Sequence, residues 1–277
     1  MKKLIYNLIL VMWLAVMAIS CNDDDNPVAV PQLYLKKIAS DGLPLLELTY
    51  DTEERLSRAD IYNEGELTHY VLYSYNTQGI QELLRYNDDH KLVIRSVFVL
   101  DDAGRIIKSD NYTAFSDFKT VSATYTFTYD PAGRVKARMY STAYDPNYTL
   151  EEFTYDAANN PINRHIITYP DQPEEYTSSE TDFTPGDKPI PAHWTNDILL
   201  LGSSMNALDI DVLEMFNIAV HQTSYTKDGD VKAEHSTEAT DHQFDSNGYL
   251  IRQFLTRRNL FENEPDVVNE MTYEYTE

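Results

Sequence analysis

Thr124-Tyr125-Thr126-Phe127-Thr128-Tyr129-Asp130-Pro131-Ala132-Gly133 is the stretch whose reading decides the fold. Its first six residues alternate. Tyr125, Phe127 and Tyr129 fall on one side of an extended chain, and Thr124, Thr126 and Thr128 on the other. Period-two alternation of aromatic and β-branched residues marks a half-buried antiparallel strand. The last four residues are turn chemistry. Asp130 suits the first position of a type I turn, Pro131 the second and Gly133 the fourth.

The phrase recurs. Aromatic or Leu, then Asp or Asn, two free positions, then Gly, appears again at Tyr75-Asn76-Thr77-Gln78-Gly79, Leu100-Asp101-Asp102-Ala103-Gly104 and Phe244-Asp245-Ser246-Asn247-Gly248. Composition alone predicts about 0.3 such matches in the chain. Degraded copies start at Tyr50 (Asp51, with Glu54 in the Gly slot), at Tyr155 (Asp156, with Asn159 there) and at Tyr225 (Thr226 in the Asp slot, Gly229 in place). Asn tolerates a left-handed backbone and Glu does not, so the Tyr50 copy fits the pattern least well. The residue two past the Gly slot is apolar at Leu56, Ile106, Val135, Val231 and Leu250, while Gln81 and Pro161 depart. Val71, Tyr73 and Tyr75 alternate like the opening strand, as do Met271, Tyr273 and Tyr275.

From Tyr50 to Tyr155 the phrases lie 25, 25, 29 and 26 residues apart. That spacing fits two strands and two turns per unit. The intervening turns vary: Asn63-Glu64-Gly65, Asn87-Asp88-Asp89, Phe115-Ser116-Asp117 and Asp145-Pro146-Asn147, with Ser40-Asp41-Gly42 opening the array. The pattern predicts an all-β chain of about sixteen strands. It is read as an antiparallel meander of repeated hairpins forming a twisted, partly curled sheet.

The phrase, with its apolar residue two positions on, resembles the YD-repeat (RHS-like) class. It is similar also to a family of secreted bacterial lipoproteins of unknown function with β-hairpin arrays. Phe183-Thr184-Pro185-Gly186-Asp187-Lys188-Pro189 resembles a phrase that precedes a longer loop in those proteins. The resemblance covers residues 33–277. It implies architecture and no activity. Large YD-repeat proteins wrap strands into a shell, and about seven copies are too few to close one on that model.

Between about residues 188 and 219 the alternation stops. Leu208, Val212, Leu213 and Phe216 share one helical face, so a loop with one or two short helices is expected. Trp194 lies in this insertion and is the candidate ligand-facing residue, since binding groups often ride on loops. Packing over an open sheet edge is the competing reading.

The first 21 residues carry a second signal. Lys2 and Lys3 precede an apolar run to Ile19, and Ser20-Cys21 follows. A basic start and a run too short to span a bilayer make a secretory signal. The lone cysteine resembles the lipidated residue of a bacterial lipobox. Residues 1–20 are thus expected to be removed and Cys21 to carry the lipid. Asn22-Asp23-Asp24-Asp25-Asn26-Pro27 opens an acidic tether over 21–32. It resembles a signal for display on the cell surface, so an outer-membrane, surface-exposed lipoprotein is expected, with a periplasm-facing one as the alternative.

The net charge is −23, and loss of Lys2 and Lys3 makes it two units more negative. That argues against nucleic acid as a partner. Once Cys21 is lipidated, no cysteine remains for a disulfide, a nucleophile or a zinc site. The seven histidines match no metal motif. Glu234-His235 and Asp241-His242 are the nearest approach to one. No phosphate loop or nucleophile elbow occurs. The expectation is a non-enzymatic protein without metal or cofactor, anchored by lipid and either structural or protein-binding. Glycan capture beside an outer-membrane uptake system is the alternative, motivated by 21 tyrosines.

Overall fold

The computed structural model describes residues 33–143, 148–168, 177–186, 217–226, 230–260 and 265–276. The turns and alternations above build sixteen antiparallel strands. They are β1 (Tyr34–Ser40), β2 (Leu43–Tyr50), β3 (Leu56–Asn63), β4 (Glu66–Asn76), β5 (Gly79–Asn87), β6 (Leu92–Leu100), β7 (Ile106–Thr113) and β8 (Val121–Tyr129). Then follow β9 (Val135–Thr142), β10 (Tyr148–Tyr155), β11 (Pro161–Thr168), β12 (Thr177–Pro185), β13 (Asn217–Thr226), β14 (Val231–Phe244), β15 (Leu250–Asn259) and β16 (Val267–Thr276).

Each strand pairs with its sequence neighbours, and β16 returns to pair with β1, so the sheet is a closed barrel. The expected open, partly curled sheet is corrected at this point. The physical reason lies in the bulges. At each aromatic-Asp turn the register shifts by one residue, as between Thr49 and Tyr50, Ser74 and Tyr75, Thr128 and Tyr129, and Thr154 and Tyr155. One extra residue per turn raises local twist and bends the sheet, and repetition carries it round to closure, which removes the exposed edges.

Burial alternates as the strands require. Tyr125 and Phe127 are buried while Thr128 is exposed. Ile38, Leu46, Ala59, Ile61, Val71, Tyr73, Leu83, Phe98, Leu255, Met271 and Tyr273 form one apolar cluster on the inner wall, contributed by β1–β6 and β14–β16. Tyr125, Phe127 and Val135 form a second cluster with Tyr140 and Phe153 against them. The outer wall is polar. It carries the pairs Lys37–Glu47, Arg58–Asp60, Arg95–Glu82, Lys108–Asp110, Arg252–Glu270 and Arg258–Glu238 at 2.5–3.8 Å.

The insertion expected at 188–219 is shorter at its C-terminal side, because β13 already begins at Asn217. Residues 187–216, with Trp194 and the expected short helices, lie outside the described residues, as do Cys21, residues 1–32 and Gly229.

Candidate functional surface

Antiparallel order puts alternate turns at opposite ends of the barrel. One end collects the turns β2/β3, β4/β5, β6/β7, β8/β9, β10/β11 and β14/β15. These hold Asp51, Asn76 with Gly79, Asp101 with Gly104, Asp130 with Gly133, Asp156 with Asn159, and Asp245 with Gly248. The start of β1 and the end of β16 lie at this same end. The Tyr225 copy does not belong to the row. Its reversal, with Thr226 N–H donating to the Asp230 carbonyl at 3.2 Å, joins β13 to β14 at the opposite end.

Each aspartate caps its own turn. Asp130 Oδ1 accepts the N–H groups of Ala132 and Arg134, both at 2.9 Å, and Oδ2 accepts Nε of Arg134 at 2.6 Å. Asp51 and Asp101 repeat this set with Arg55 and Arg105, and Asp156 does so with Asn160. The hydrogen bond from the Arg105 side chain holds the Asp101 carboxyl below the usual carboxylate range. Arg134 does the same for Asp130, and Asn160 for Asp156.

The arginines then reach into the next unit. Arg55 lies over the Tyr75 ring, Arg105 over Tyr129 and Arg134 over Tyr155, at 4.5–4.6 Å from each centroid. The tyrosine hydroxyls close the link. Tyr75 donates to the Leu56 carbonyl, Tyr129 to Ile106, Tyr155 to Val135 and Tyr275 to Leu250, at 2.6–2.8 Å. Burial pushes the Tyr129 and Tyr155 hydroxyls up to about 12. The phrase is therefore a keystone that joins hairpin to hairpin. Sequence reasoning missed the arginine, although it recurs four residues after Asp51, Asp101 and Asp130.

On the outer wall of β4 and β5 the rings of Tyr70 and Tyr86 stack at 4.9 Å and 8°. The Arg58 guanidinium lies 4.5 Å over Tyr70, and His90 tilts against the same ring. The suggested Glu234-His235 and Asp241-His242 cluster does not assemble. Glu234 faces outward and contacts His221 Nε2 at 2.5 Å, and His235 lies on the other face of β14. Among the described residues no three His, Cys, Asp or Glu side chains converge as metal ligands.

The fold is found in solved structures. A porin-like protein from Bacteroides uniformis matches with a TM-score of 0.52 at 15% identity, over 89% of this chain and 98% of that one. A porin-like protein from Bacteroides vulgatus gives 0.43 at 10% identity, over 88% and 99%. The Tc holotoxin pore of Photorhabdus luminescens gives 0.31 at 14% identity, over 81% of this chain and 13% of that one. No family model matches the sequence, and no curated protein does.

Proposed function

We propose that this chain is a non-enzymatic barrel held at the outer membrane by lipid on Cys21, standing in water at the cell surface as a protein-binding scaffold. The observation that carries the reading is the polarity of the wall. A barrel that crosses a bilayer turns an apolar band outward and keeps its polar residues in the lumen. Over β1–β6 and β14–β16 the order is reversed: Val71, Leu255 and Met271 line the inside, with the buried polar Gln253 among them, and Glu47, Asp60, Arg95 and Glu270 line the outside. A wall of this kind is soluble, so attachment falls to the tether, and an acylated cysteine supplies it. The acidic residues after Cys21 support display at the surface.

The test is fractionation. Cys21→Ser should leave the membrane pellet for the soluble fraction with its melting temperature unchanged. A chain that stays in the pellet, or a purified barrel from residue 33 that needs detergent to remain in solution, would refute the reading. The Tyr70–Tyr86 stack favours glycan capture as a second reading, since paired aromatics at half-exposed positions offer ring surface to a sugar. Titration with soluble oligosaccharides should then give heat that Tyr86→Ala abolishes. Absence of heat at millimolar sugar removes that alternative.

A further inference from the structure

The end of the barrel opposite the aromatic-Asp turns is built differently. It carries the most exposed large apolar side chains among the described residues. Phe115 is 100% exposed, Val268 55%, Val267 54%, and Leu43 and Leu260 49% each. Leu43 opens β2, Leu260 follows β15, and Val267 and Val268 open β16. Phe115 stands apart, on the connection between β7 and β8.

That connection is closed by its own hydrogen bonds and is conformationally costly. Ala114–Ser116 form one 3-10 turn, closed by Asp117 N–H donating to the Ala114 carbonyl at 3.1 Å. Phe118 N–H donates to the Thr113 carbonyl, and Ser116 Oγ lies 3.1 Å from the carbonyls of both Thr113 and Thr120. Asp117 and Phe118 both have positive φ, 53° and 56°. Two consecutive non-glycine residues in the left-handed region are strained, and a bulky one there is an outlier. The β3/β4 hairpin reverses with only Glu64 and Gly65 and shows no apolar residue to water. Strain of this kind persists where the surrounding structure imposes it, and it concentrates at ligand clamps. Beside these two residues the Phe115 ring stands clear of the barrel.

We propose that Phe115 is the anchor of a protein-docking end, taking a partner that offers an apolar pocket ringed by basic groups. The claim rests on the protein-binding reading above. Buried aromatic anchors dominate interface energetics, and a backbone already ordered by its own hydrogen bonds loses less entropy on binding. The charge of the same end selects the partner. Among the described residues the turns of this end carry Asp41, Glu64, Asp88, Asp89 and Asp117 against two lysines, Lys91 and Lys119, each paired to one of these aspartates. An acidic rim repels a second copy of this chain and an anionic bilayer, and it attracts a basic protein surface.

The test places the photo-crosslinking residue p-benzoylphenylalanine at position 115, and separately at outer-wall position 126, in the full chain in cells. A protein cross-linked at 115 and not at 126 is identified and purified, and its binding to the wild type is measured. Phe115→Ala is expected to weaken that binding at least tenfold and to leave the melting temperature unchanged, and added salt is expected to weaken it too. Binding within twofold of wild type overturns the proposal. So does cross-linking at 115 only to a second copy. So does loss of binding to phosphatidylethanolamine–phosphatidylglycerol vesicles in Phe115→Ala, which makes the ring a lipid contact. Cross-linking at 126 alone overturns the anchor and leaves the protein-binding reading standing. No protein product from either position overturns both.

Discussion

At the residue scale, one aspartate does the work of several groups. One carboxylate oxygen accepts turn N–H groups that the ladder leaves over, and the other holds the arginine that packs on the next tyrosine. The Gly slot has positive φ at Gly104, Gly133 and Gly248 (77°, 83°, 87°), and Asn159 adopts 70°. Glu54 adopts 61° as well, so the Tyr50 copy is a full turn despite its poor residue choice. Tertiary pairing outweighs a local penalty of about 1 kcal/mol. Glu54→Gly should therefore stabilise by roughly 0.5–1 kcal/mol, and Gly133→Val should destabilise by about 1–2 kcal/mol. Urea unfolding of both variants checks the opposite signs; equal effects would sink the account of the slot. The Asp and Gly positions were legible because a turn's chemistry sits within five residues. The arginine was not, because the ring beneath it lies 20 or more residues further along.

At the element scale, the second copy shows how a hairpin absorbs an irregular sequence. Asn76 pairs with Gly79, so this turn is one residue tighter than its neighbours, and Ile80 rather than Gln81 sits opposite Tyr75. Ile80 is buried, and Gln81 becomes the outward bulge residue. The apparent departure at Gln81 is thus a shift of register. Pro161 also keeps the pattern, buried opposite Tyr155. Added Cβ atoms show how tightly the turns nest: one on Gly79 would lie 2.9 Å from Leu100 Cδ1. The row of caps predicts acid sensitivity. The folded state lowers the pKa of Asp101, Asp130 and Asp156. Their stabilisation is complete above the unfolded value of about 4 and is lost as pH falls through the lower folded values. Melting temperature should hold from pH 7 to 5 and fall below pH 4, with a shallower fall in Asp130→Asn. A profile identical to wild type in that variant would contradict the cap assignment.

At the scale of the whole molecule, closure turns a repeat into a container with an inside. Asp41 joins the two ends of the array, accepting the Glu270 N–H and the Asn269 side-chain amide, both at 2.9 Å. These partners are more than 220 residues apart in the chain. The inner wall then behaves as a core. Leu255→Ala should cost about 2–5 kcal/mol, whereas Thr126→Ala on the outer wall should stay within about 0.5 kcal/mol. Equal losses at the two sites, measured by thermal or urea unfolding, would contradict the assignment of inside and outside. Antiparallel order along the whole chain accounts for the Tyr225 copy. Counting strands to sixteen puts it at the end away from the other phrases, which no local property of the phrase reveals.

By itself, the sequence determined where the chain reverses, which residues share a face and how many strands there are, because turn preference and period-two burial are local properties. Only the tertiary structure decided that the sheet closes, that the apolar face is its inside, and that Phe115 stands exposed at the end opposite the capped turns. Those facts depend on pairing between the first and last strands and on twist summed over every bulge, and such sums have no signature in any short window of residues.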